Sequence, residues 1–100
     1  MQFDTIELRE EGQIATIVLN RPKVMNAISS QVLRELEEAI VKVNLQEDIR
    51  VVIITGQGDR AFCAGADIRE LKDQTLFEHE RFIDFGNRVF SMIEICVKVF

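Results

Sequence analysis

A chain of 100 residues and 11.5 kDa leaves room for a single domain with a modest core, since domains typically run from about 50 to 250 residues. An apolar share of 47% and a charged share of 29% are ordinary for a folded globular protein and exclude a disordered or fibrous class. A net charge of −5 gives no positive field for a phosphate polymer, which argues against nucleic acid, and no apolar run reaches the roughly 20 residues that span a bilayer.

The start, Met1-Gln2-Phe3-Asp4, lacks the basic flank and apolar stretch of a secretory signal, so a cytoplasmic location with no membrane partner is expected. Cys63 and Cys96 stand far apart and His79 is the one histidine, so a zinc site of familiar spacing cannot be assembled. Both thiols are expected to be reduced, Cys63 as a buried structural residue.

In chain order, Phe3 to Leu8 and the β-branched run Ile14 to Leu19 read as two strands of a hairpin, with Glu10-Glu11-Gly12-Gln13 as the turn. Asn20-Arg21-Pro22 ends the second strand, because proline lacks the N–H a ladder needs. From Ser29 or Ser30, either able to cap, Val32, Leu33, Leu36, Ile40 and Val43 recur at the spacing of one helical face, predicting a helix to about Asn44. Glu38 and Lys42 stand at i,i+4 on another face. Val51-Val52-Ile53-Ile54-Thr55 follows as an unbroken β-branched run of the kind covered on both faces, and strand, helix, strand suggests a right-handed crossover.

Gly56-Gln57-Gly58-Asp59 breaks that strand, and Ala61 to Ala66 forms a small-residue loop. Asp67 and Glu70 have the spacing of a capping box and predict a short helix; Thr75 and Glu78 repeat the signal for a longer one. The longer helix carries Phe82, Phe85, Val89, Ile93 and Cys96 on one face. The order ββαβαα makes this an α/β chain. Its last strand would lack a partner on one side unless the chain continues or another chain supplies one, and such an edge invites association.

The chemically informative stretch is Arg60-Ala61-Phe62-Cys63-Ala64-Gly65-Ala66-Asp67-Ile68-Arg69, which leaves the carboxyl end of the buried strand and enters a helix N-terminus. Free N–H groups in such a turn suit an oxygen gaining negative charge, and Gly65 and Ala66 are small enough to admit a ligand to the backbone. A tight strand-to-helix loop with Asp67 as a cap would account for the same residues. The carboxylates Glu35, Glu37, Glu38, Glu78 and Glu80 all read as exposed helix charges rather than acid/base groups, and His79 reads as a surface residue.

Three segments in order, Ile17-Val18-Leu19-Asn20-Arg21-Pro22-Lys23 with Asn26-Ala27, Val51 to Gly56, and Ala61-Phe62-Cys63-Ala64-Gly65-Ala66-Asp67-Ile68, resemble the enoyl-CoA hydratase/isomerase (crotonase) family. The resemblance implies an incomplete crotonase-like fold of ββα repeats, one partial domain over 1–100. It implies that an acyl-CoA thioester is bound with its carbonyl between two backbone N–H groups, one of them that of Ala66. Ala64, Gly65, Ala66, Asp67 and Ile68 would line the CoA path, while Arg69 and Lys23 would lie near its phosphates. Coenzyme A would arrive as part of the substrate, with no separate cofactor or metal, and family members form homotrimers or hexamers.

The family's second oxyanion donor and its acid/base glutamates belong to segments later than Phe100, and the tail Ile95 to Phe100 lacks the Lys-Pro pair usual there. The resemblance therefore implies the N-terminal portion of an enzyme hydrating trans-2-enoyl-CoA, with little or no hydratase activity expected of this chain alone. A non-catalytic acyl-CoA-binding or oligomerising module, and a nonfunctional truncated remnant, stand as the alternatives.

Overall fold

The computed structural model describes residues 3–58 and 65–95. The elements follow the expected order: β1 (Ile6–Glu11), β2 (Ile14–Leu19), a 3₁₀ turn (Pro22–Val24), α1 (Ser30–Leu45), β3 (Val51–Gly56), α2 (Ile68–Leu71) and α3 (Leu76–Ile95).

β1 and β2 pair antiparallel, from Ile6 opposite Leu19 to Glu11 opposite Ile14. The hairpin thus starts later than Phe3, and Glu10 and Glu11 belong to the ladder rather than to the turn. Gly12-Gln13 alone makes the reversal, with Gly12 at φ 59°, a left-handed conformation that costs glycine little. β2 pairs parallel with β3, Ile14 opposite Val51 through Leu19 opposite Gly56, so α1 is the crossover. The sheet order β1-β2-β3 leaves β3 at an edge among the described residues.

Ser29 caps α1, its Oγ accepting from the Val32 N–H at 3.2 Å. All five expected apolar residues of α1 are buried, and they join Ile6, Ala15, Ile17, Leu19 and Val52 of the sheet in one core. Lys42 reaches across to Glu10 of β1 at 3.6 Å and not to Glu38, because the sheet offers its ammonium a carboxylate outside its own helix.

α3 begins with the capping box read from the sequence: the Glu78 N–H donates to Thr75 Oγ1 at 3.1 Å, and the Thr75 N–H and hydroxyl donate to Glu78 Oε1. It packs on α1 through Val89, which is fully buried, with Phe82 and Phe85 partly covered. The side chains of Ile93 and Cys96 fall outside the described ones, as does all of Cys63. β3 departs from the expectation of two covered faces: Val52 is buried and Ile54 packs on the core, while Ile53 is 44% exposed on the opposite face.

Candidate active site

The chain between β2 and α1 and the chain entering α2 meet in a polar seam. Two hydrogen bonds define it: the Ile28 N–H donates to the Gly65 carbonyl at 2.6 Å, and the Asp67 N–H donates to the Ile28 carbonyl at 2.7 Å. Together they make a parallel bridge of Ile28 with Ala66. In that pattern the residues flanking Ala66 supply both bonds, so the Ala66 N–H points away from Ile28. Ala66 is exposed, and among the described residues no acceptor takes its N–H.

Gly65 makes this geometry accessible. Its φ of 105° lies where a side chain is strained, whereas a Cβ there would touch nothing within 4 Å. The requirement is one of backbone conformation, with open space left beside the donor. α2 spans only four residues, so little helix dipole reaches Ala66, and the donor depends on the bridge rather than on a helix N-terminus.

The other side of the seam is held by Asn26, which is 1% exposed at φ 57°. Asparagine tolerates the left-handed region better than most residues. Its Oδ1 accepts from the Arg21 N–H at 2.9 Å and its Nδ2 donates to the Gln57 carbonyl at 3.2 Å, tying this loop to the end of β3. The Arg21 guanidinium donates to the Ala27 carbonyl at 2.7 Å and to Asp67 Oδ2 at 2.9 Å.

Gly65, Ala66 and Asp67, singled out in the sequence, form the α2 side of this seam. Lys23 stands exposed on the 3₁₀ turn beside Arg21, and Ile68 and Arg69 begin α2; Ala64 lies outside the described residues. Two readings are corrected. The Glu70 carboxylate does not close a capping box on Asp67, whose N–H is taken by Ile28; it accepts from the N–H and hydroxyl of Ser30 and so caps α1 from outside. Glu35 is buried, not exposed, and accepts from the Thr5 N–H at 2.8 Å, the Thr5 hydroxyl at 3.0 Å and Gln31 Nε2 at 2.9 Å. Glu38, Glu78 and Glu80 are exposed as expected, and Glu37 and His79 are half-buried.

Sequence reasoning assigned no role to Arg21, whose ion-pair partner stands 46 residues away. An open groove between α1 and α3 begins at the Ser30–Glu70 clasp, with Phe82 and Phe85 in its wall, and carries both signs of charge, including Arg34, Arg81, Glu78 and Asp84.

A short sheet crossed by α1, with an outward amide just after a left-handed glycine beyond the parallel strand, defines part of a crotonase fold. A family profile described as Enoyl-CoA hydratase/isomerase matches residues 14–98, and the chain belongs to that family. It is 37% identical over 98 residues to the short-chain-enoyl-CoA hydratase of Clostridium acetobutylicum and 38% identical over 98 residues to the crotonyl-CoA hydratase of Syntrophomonas wolfei. In both comparisons the match covers 98% of this chain and 38% of the relative. Among solved structures, the enoyl-CoA hydratase of Bacillus anthracis superposes with a TM-score of 0.92 at 29% identity, covering 95% of this chain and 37% of that one. The chain thus spans well under half the length of these relatives.

Proposed function

We propose that the chain is the N-terminal portion of an enzyme that hydrates 2-enoyl-CoA thioesters, with the Ala66 N–H as one of two donors to the thioester oxygen. When water adds to C3 of an enoyl thioester, the displaced π electrons move onto that oxygen, and the resulting enolate is then protonated at C2. A fixed donor aimed at the oxygen lowers this barrier, and removing one such donor in other enzymes typically costs about 2.7 to 4 kcal/mol. The observation that carries the reading is the outward Ala66 N–H, fixed on both flanks by the bridge to Ile28.

Gly65, Asp67 and Ile68, with Ala64 before them, would line the path of the CoA arm. Lys23 and Arg69 would serve its phosphates, with the CoA carried on the substrate and no separate cofactor. As in the family, assembly into trimers or paired trimers belongs to this reading, as does a cytoplasmic setting.

The two buried carboxylates among the described residues are already engaged, Glu35 by Thr5 and Gln31 and Asp67 by Arg21. That favours binding without turnover in this chain alone, the general acid and base being supplied by other segments of the enzyme. Calorimetric titration with acetoacetyl-CoA, together with a crotonyl-CoA hydration assay on the same sample, tests it. Saturable binding without hydration is expected. Absence of binding overturns the reading, and hydration by the chain alone overturns the assignment of acid/base work to other segments.

A further inference from the structure

We infer that Arg21 is a positioning residue for the oxyanion donor: its guanidinium staples the Ala27 carbonyl to the Asp67 carboxylate and so holds the Ile28–Ala66 bridge in register. The inference rests on the reading of Ala66 as a donor and adds to it the device that aims the donor.

The staple closes a ring around the bridge. Ala27 immediately precedes Ile28, and Asp67 immediately follows Ala66, so the two guanidinium bonds of 2.7 and 2.9 Å grip the residues adjoining both halves of the bridge. Arg21 is itself fixed, because its N–H donates to Asn26 Oδ1 and its carbonyl accepts from the Asn26 N–H at 2.8 Å. The ion pair is largely removed from water, with the guanidinium side chain 20% and the carboxylate side chain 9% exposed, so it is not one of the solvated surface pairs that contribute almost nothing. A loop needs such a hold here. Gly65, which precedes Ala66, has more alternative backbone conformations open to it than any residue with a side chain, and the four residues of α2 are too few to anchor the segment alone. The planar fork matters as well as the charge, since a lysine ammonium on a flexible stem lacks the rigid geometry that grips a carbonyl and a carboxylate together.

The test compares wild type, Arg21→Lys and Arg21→Gln for binding of acetoacetyl-CoA and of S-butyl-CoA, a thioether with no carbonyl for the donor to meet. Amide hydrogen exchange is followed on the same unliganded proteins. Arg21→Gln is expected to lower the preference for acetoacetyl-CoA over the thioether by about tenfold, the size of one lost hydrogen bond to a charged oxygen, with thioether affinity unchanged and Arg21→Lys intermediate. Exchange at Ile28 and Asp67 is expected to quicken by about tenfold while Ile17 and Leu33 keep their protection. An unchanged preference in Arg21→Gln overturns the positioning role, as does a loss of protection spread evenly through the core, which would make Arg21 a general folding residue. If wild type binds neither probe, the donor reading of Ala66 fails, and the exchange pattern still decides whether Arg21 holds the bridge.

Discussion

α1 and α3 carry equally clear helical signals, yet they are used differently. α1 has a serine cap and sinks seven of its 16 residues, including a glutamate, between the sheet and α3. α3 is longer at 20 residues and has the fuller capping box, but among its described side chains only Val89 is fully buried, and Phe77 and Phe90 are 67% and 47% exposed. Capping and periodicity mark where a helix starts and which face it turns inward. What lies against it decides how much of its apolar face leaves water, and so how much stability it contributes.

The largest effect that sharpens this contrast is expected in α1. Leu33→Ala removes a side chain that is 0% exposed and should lower unfolding free energy by about 3 kcal/mol, measured by urea denaturation. Phe90→Ala in α3, a residue 47% exposed, should cost well under half of that; an equal loss would break the comparison.

Next comes Glu35→Ala, which leaves the Thr5 N–H and hydroxyl without their acceptor and should cost about 1 to 3 kcal/mol, with Glu35→Gln milder because its amide oxygen still accepts. A change within experimental error would show that water replaces the carboxylate and that Glu35 is surface-like after all. Thr75→Ala removes the cap of α3 and should cost about 1 kcal/mol, seen as faster amide exchange confined to the first turn of the helix.

The smallest effect belongs to the exposed pair Glu7–Arg9 on β1. The hydrogen bond from Arg9 holds the Glu7 carboxyl below its usual value, aided by the guanidinium charge. A carboxylate depressed in the folded state stabilises above its ordinary pKa, and that contribution disappears as pH falls through the folded value. Arg9→Gln should therefore lower Tm slightly at neutral pH and leave it unchanged in acid. A difference that grows in acid would contradict the pairing.

The element order, the hairpin, the helix joining β2 to β3 and both long helices were legible because each rests on local signals: β-branched runs, proline and glycine breaks, and a five-residue apolar stripe in α1. The small residues around Ala66 and their place after β3 mark a candidate site in the sequence, but the bridge to Ile28 was not legible because its two halves lie far apart along the chain. Glu35 was misread because a charge on a helix is read as facing water. Yet it lies three residues after Val32 and four before Ala39, both buried, which puts it at the margin of the apolar stripe. Its partner Thr5 is 30 residues away, outside any local pattern. Glu70 shows the same limit, since the local capping-box spacing competed with Ser30, a tertiary partner that the sequence does not point to. Arg21 stood in plain view beside Pro22, but its role arises only when folding brings Ala27 and Asp67 to its two sides.

The most direct measurement is a two-dimensional amide NMR titration of the isotope-labelled chain with acetoacetyl-CoA. The account predicts a saturable downfield shift of the Ala66 amide proton as it acquires a charged acceptor, larger than at any other amide of the seam and absent with the butyl thioether. An Ala66 signal that stays in place while acetoacetyl-CoA binds and shifts resonances elsewhere would contradict it.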